Sequence, residues 1–68
     1  MVYIFGKDNC PYTQAARDDY ARRGVKFEYF NVKKDDAAMQ RMLTLSGGRR
    51  SVPVIDDHGT VTIGFGGT

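Results

Sequence analysis

Val2-Tyr3-Ile4-Phe5 is an unbroken apolar run, rich in β-formers and closed at once by Gly6. A strand without polar alternation needs cover on both faces, and a central strand of a parallel pair has it. Shortly afterwards Pro11 stands where a first helical position belongs, because its fixed φ suits a helix and its missing N–H is not needed there. From Pro11 to Arg23 the spacing predicts a helix. Tyr12, Ala16 and Tyr20 recur at i, i+4, i+8, and Asp18 with Arg22 and Asp19 with Arg23 form acid-to-base pairs alongside. Gly24 is placed to stop it. A second strand follows over Lys26 to Val32, and a strand–helix–strand unit of this kind closes right-handed with its strands parallel.

The remainder completes a small sheet. "KKDD" reads as a solvated link with Asp35 or Asp36 as N-cap, and the helix behind it runs to Ser46 with Met39, Met42 and Leu43 on one stripe. Gly47-Gly48 ends that helix. "SVPVID" is a short strand containing a proline, "DHG" a tight turn, and "TVTI" its hairpin partner. The tail "GFGGT" is too glycine-rich for regular structure. The expected order is β-α-β-α-β-β: an α/β domain over 1–68 with a mixed four-stranded sheet, no repeats and no linkers.

Composition narrows the function. At 68 residues the chain is one domain with a small core, of a size that buries only about 60% of its unfolded surface. Apolar content of 41% argues for folding over disorder. Ten basic against eight acidic residues give a net charge of +2, too weak for a nucleic-acid footprint. Charged residues interrupt the first twenty positions, so no signal-peptide core is visible, and no apolar run is long enough to span a membrane. With one cysteine there is no internal disulfide and no cysteine-based zinc site, and a reducing cytoplasm is the expected location. His58, Asp56 and Asp57 read as hairpin-turn residues, the methionines as core filler, and no metal site is expected.

That cysteine, Cys10, stands at the strand-to-helix junction. Free helical N–H groups and the helix dipole favour a negative charge there, and Lys7 adds a positive field from three residues upstream. Both lower a thiol pKa, and the thiolate is the nucleophile. A position after a loop and ahead of a proline-opened helix also argues for partial exposure.

The segment "IFGKDNCPYTQAA", together with Val52-Pro53 and "IGFGG", resembles the glutaredoxin family of thioredoxin-like fold, whose dithiol motif is C-P-Y-C and whose monothiol motif is C-G-F-S. Here the motif reads C-P-Y-T. The chain also resembles small glutaredoxin-like selenoproteins, whose reactive residue lies at the Cys10 position. The resemblance implies a cis Val52-Pro53 bond beside the thiol, with the Val52 backbone pairing an extended peptide-like ligand such as glutathione. It implies that Lys7 and Arg49 or Arg50 bind a glycyl carboxylate, and that the turn Gly64, Phe65 and Gly66, continued by Gly67, holds the γ-glutamyl end. Pro11 and Tyr12 would flank the thiol, Tyr12 as an aromatic wall or alternatively as a core residue.

Three departures from the family pattern carry expectations. Thr13 replaces the resolving cysteine, which implies a monothiol thiol–disulfide oxidoreductase with Cys10 and Thr13 as its catalytic residues. Glutathione or another small thiol would be the co-substrate and disulfide-containing proteins the clients. The aspartate that often follows the glycine-rich turn is absent, the chain reading Gly66-Gly67-Thr68. The family's C-terminal helix is missing, which should leave one sheet face thinly covered and favour a homodimer. The alternatives are an iron–sulfur carrier, with a 2Fe–2S cluster bridging two chains through Cys10 and two glutathiones, and a thiol or selenol peroxide-reducing enzyme.

Overall fold

A computed structural model describes residues 1–66; Gly67 and Thr68 lie outside the described residues. The elements are β1 (Val2–Gly6), α1 (Pro11–Arg22), β2 (Phe27–Asn31), α2 (Asp36–Ser46), β3 (Val54–Asp57) and β4 (Thr60–Ile63). The sheet order is β2-β1-β3-β4, with β1 parallel to β2 and both remaining pairs antiparallel. This is the mixed four-stranded α/β sheet expected of a thioredoxin-like fold.

β1 is central, as its apolar run requires, and its pleat divides the core in two. Val2 and Ile4 face α1, packing with Ala16, Tyr20 and Ile55. Phe5 faces α2, packing with Val32, Ala38, Met42 and Val54. Full burial of each such large side chain is worth roughly 1.5–3 kcal/mol, so two small clusters sharing one strand hold the domain together. Arg41 lies 5.2 Å from each of the Tyr3, Phe5 and Phe30 rings and closes the outer side of the second cluster.

Local signals set the element ends. Pro11 opens α1, and beyond its C-cap Arg23 the Val25 N–H closes on the Tyr20 carbonyl at 3.0 Å while Gly24 takes φ +73°. Asp35, not Asp36, caps α2 by accepting the Ala38 N–H at 3.1 Å. Gly47 ends α2 in the left-handed region. His58 and Gly59, both at positive φ, form the two-residue hairpin turn between Asp57 and Thr60.

Several expectations change. The buried stripe of α1 is Thr13, Ala16 and Tyr20, whereas Tyr12 is 42% exposed. Ala16 and Tyr20 face the sheet as expected, and only the first position of the stripe moves, from Tyr12 to Thr13. Asp18 does not pair with Arg22: it accepts a hydrogen bond from Gln14, while Asp19 takes both Arg22 at 2.5 Å and Arg23 at 2.9 Å. The first strand gains Gly6, and the second is shorter than Lys26 to Val32. Pro53 precedes β3 instead of lying within it, since a proline has no N–H for the ladder. Phe65 packs on the α1-side cluster, and among the described residues the exposed large apolar side chains are Met1, Tyr12 and Val61.

Candidate functional site

Strand register brings the site together. Phe5 pairs with Val54, and Val54 with Ile63. The end of β1, the start of β3 and the end of β4 therefore lie side by side. The loop Lys7–Asn9 leading to Cys10, the Val52-Pro53 step and Gly64 all extend from that edge. The Val52-Pro53 bond is cis. The buried Gly64 donates its N–H to the Pro53 carbonyl at 2.7 Å and takes φ +87°, a conformation glycine adopts at no steric cost.

Cys10 is the N-cap of α1, with extended backbone at φ −100° and ψ 117° and its carbonyl accepting the Gln14 N–H at 2.9 Å. It is 7% exposed, more enclosed than its position at a junction implies. Thr13, one helical turn on, is 1% exposed and lies on the buried side of the same first turn. Burial is the largest influence on the Cys10 thiol and pushes it up. The Thr13 hydroxyl, the Thr13 and Tyr12 backbone N–H groups and the Lys7 charge together outweigh burial, and the thiol lies below its ordinary range. The first-turn N–H groups and Lys7 act in the expected direction, and the Thr13 hydroxyl, not named among them from the sequence, is the stronger influence.

Thr13 is 1% exposed because it packs under the end of β1. A Cβ on Gly6 would meet Thr13 Cγ2 at 2.4 Å and Oγ1 at 2.6 Å, so only glycine lets the strand pass this closely. The Lys7 backbone N–H approaches Thr13 Oγ1 at 3.5 Å. Thr13 Oγ1 thus faces the strand end as well as bearing on the thiol's ionisation. Sequence reasoning assigned Gly6 only to ending a strand; its spacing of seven from Thr13 has no local meaning.

The remaining expected residues are distributed around this edge. Pro11 and Tyr12 are exposed on the first turn of α1, so Tyr12 is a surface residue beside the thiol and not core. Val52 is half-buried against the α2-side cluster, and Pro53 is fully buried. Arg49 is exposed in the link from α2 to β3, where its carbonyl accepts the Ser46 hydroxyl at 2.7 Å. Arg50 Nη1 lies 4.0 Å from Met39 Sδ. Phe65 is half-buried on the other cluster, and Gly66 is exposed at φ +65°. Gly67, expected to continue that turn, lies outside the described residues.

One group was not anticipated. Asp8 Oδ1 accepts the Tyr29 hydroxyl at 2.8 Å, and Asp8 Oδ2 lies 3.8 Å from Lys34 Nζ. The Arg17 guanidinium stacks 4.0 Å from the centre of the Tyr29 ring. The Tyr29 hydrogen bond leads the influences that hold the Asp8 carboxyl below its usual value. Burial, then Asp8, push the Tyr29 phenol up to about 12, and the Cys10 charge adds in the same sense. Twenty-one residues separate Asp8 from Tyr29, beyond any local pattern.

Among the described residues no group of three His, Cys, Asp or Glu side chains could hold a metal ion, and no helix is long and apolar enough to cross a membrane.

The Glutaredoxin family model matches residues 2–60. No curated protein matches the chain. Among solved structures, the thioredoxin-like protein BC3987 is similar with a TM-score of 0.87 at 29% identity, over 97% of this chain and 89% of that one. The glutaredoxin-like protein NrdH-redoxin from Escherichia coli gives 0.81 at 25% identity, over 96% and 83%. A buckwheat glutaredoxin–glutathione complex gives 0.76 at 21% identity over 93% and 59%, a likeness of fold alone. The family match takes in β1, the Cys10 loop, both helices, β2 and β3, and on that ground the chain belongs to the glutaredoxin family.

Proposed function

We propose that this protein is a thiol–disulfide oxidoreductase that works through Cys10 alone and is turned over by an external thiol, with glutathione as the co-substrate. The observation that carries this is the pairing of a lowered thiol at a helix N-cap with a threonine hydroxyl where a resolving thiol would stand. The Cys10 thiolate attacks one sulfur of a mixed disulfide. That S–S bond breaks, a bond from Cys10 Sγ to the attacked sulfur forms, and the client leaves as a thiolate that takes a proton from water. A glutathione thiolate then attacks the glutathionyl sulfur on Cys10, giving oxidised glutathione and free Cys10 thiolate. The client sulfur gains one electron and the incoming glutathione sulfur loses one, while the glutathionyl sulfur passes from client to Cys10 to glutathione at an unchanged oxidation level.

In this reading Val52 and Pro53 lie beside the extended co-substrate, Lys7 and Arg49 neutralise its glycyl carboxylate, and the Gly64, Phe65 and Gly66 turn receives the γ-glutamyl end. Pro11 and Tyr12 flank its sulfur. The setting is a reducing compartment such as the cytoplasm, with disulfide-bearing proteins as clients. The enclosed sulfur, 7% exposed, favours exchange over ligation of a cluster shared by two chains.

The test is intact-mass analysis after treatment with oxidised glutathione, paired with an assay on a glutathione mixed disulfide. One glutathionyl adduct, removed by reduced glutathione and missing in Cys10→Ser, is expected. A wild-type protein that takes no adduct, or a Cys10→Ser variant that still turns over, would overturn the proposal.

A further inference from the structure

The loop that delivers Cys10 is fastened to the sheet through Asp8. Asp8 accepts the Tyr29 hydroxyl at 2.8 Å and faces Lys34 across 3.8 Å, and the Asn31 side chain helps hold its carboxyl low. Tyr29 and Asn31 belong to β2, and Lys34 to the link before α2. Tyr29 is itself held from α1 by the Arg17 guanidinium over its ring. Asn9, between Asp8 and the thiol, takes φ +62°, a left-handed conformation that asparagine tolerates better than most residues. A loop bent in this way, with Lys7 at one end and Cys10 at the other, needs an anchor to keep both charges in place.

We propose that Asp8 and Tyr29 form a positioning pair for the Cys10 thiolate, tying the thiol loop to β2 and fixing the Asp8 carboxylate on Tyr29 and Lys34. The charged and titratable groups around the pair are Lys7 and Cys10 on the loop, Arg17 from α1, and Lys34 from the link. With the hydrogen bond in place, Asp8 spends its charge on Tyr29 and Lys34. Without it, an unanchored carboxylate two residues from the sulfur opposes the thiolate, and Lys7 loses its fixed place. Neither residue touches the reacting atoms; both act through the thiol. The inference rests on Cys10 being the reacting group.

The experiment is the pH dependence of Cys10 alkylation by iodoacetamide, which needs the thiolate but neither glutathione nor a client. It therefore reads the pair even if the co-substrate assignment is wrong. Tyr29→Phe keeps the ring under Arg17 and removes only the hydroxyl. It is expected to slow alkylation at neutral pH by roughly three- to tenfold, the value of one hydrogen bond. Asp8→Ala leaves Lys7 without its fixed place but frees no carboxylate, so it should slow alkylation less than Tyr29→Phe does, and the double variant should be no slower than the slower single. Asp8→Asn, whose amide oxygen still accepts from Tyr29, should stay within about twofold of the wild type on the same reasoning. All rates should converge in alkali once every thiol is ionised. Wild-type rates in Tyr29→Phe, singles that add in the double variant, Asp8→Asn as slow as Asp8→Ala, or rates that fail to converge would each overturn the pair.

Discussion

Gly6 and Thr13 occupy one space: a Cβ on Gly6 would stand 2.4 Å from Thr13 Cγ2. The strand end and the first turn of α1 are pressed together at the point where the thiol is held, so the packing of a glycine bears on the chemistry of a cysteine. Gly6→Ala should destabilise the domain by about 1–3 kcal/mol, the usual cost of overpacking. For a chain of this size that lowers Tm by roughly 4–8 °C per kcal/mol in a thermal melt. Thr13→Ala removes both clashing atoms, so the double variant should be more stable than the two single losses predict. Additive losses would count against this contact.

Thr13→Ala should also move the thiol. Burial, the largest influence, raises the Cys10 pKa, and the Thr13 hydroxyl is the strongest of the groups that oppose it. With the hydroxyl gone, the pH–rate profile for exchange with a glutathione mixed disulfide should move to higher pH. At neutral pH the rate should fall by about two- to tenfold, the range of one hydrogen bond, with activity recovered in alkali. Thr13→Ser, which keeps the hydroxyl, should restore the profile.

The lowered thiol makes stability depend on pH. A folded-state pKa below the unfolded one means the folded chain binds fewer protons. The contribution is therefore fully present above the unfolded thiol value, about 8.5, and is lost as pH falls through the lowered folded value. Wild type minus Cys10→Ser, compared by Tm across neutral to alkaline pH, should grow in favour of the wild type as pH rises. A flat or falling difference would contradict the thiolate-stabilising site.

Tyr29 offers an independent readout of its bond to Asp8. The difference in tyrosinate absorbance between wild type and Tyr29→Phe should titrate with a midpoint at about 12. Because this phenol is raised in the folded state, its contribution to stability is present below the unfolded value, about 10, and lost as pH rises through the folded one. In Asp8→Ala the midpoint should fall toward the ordinary phenol value, since an acceptor that opposes ionisation is gone.

Much of the architecture was legible locally. Pro11, Asp35, Gly47 and the Asp57–Thr60 turn each act through bonds within a few residues, so the order of elements follows from short patterns. The apolar run of β1 states that both its faces are covered, and the structure covers them with one helix each. The placement of Cys10 at a helix start is likewise a matter of adjacent residues.

The rest was decided by strands and helices meeting. Tyr12 and Thr13 are adjacent residues, and only the angle at which α1 lies on β1 sends Thr13 inward and leaves Tyr12 outside. The Gly6–Thr13 contact and the Tyr29–Asp8 bond join positions 7 and 21 residues apart, and no short-range periodicity encodes such distances. Sequence alone established a single thiol at the head of a helix in a β-α-β-α-β-β chain. Tertiary packing decided how deeply that thiol lies, that Thr13 is buried beside it, and that Asp8 meets Tyr29, because burial and hydrogen-bond geometry exist only once distant segments share a surface.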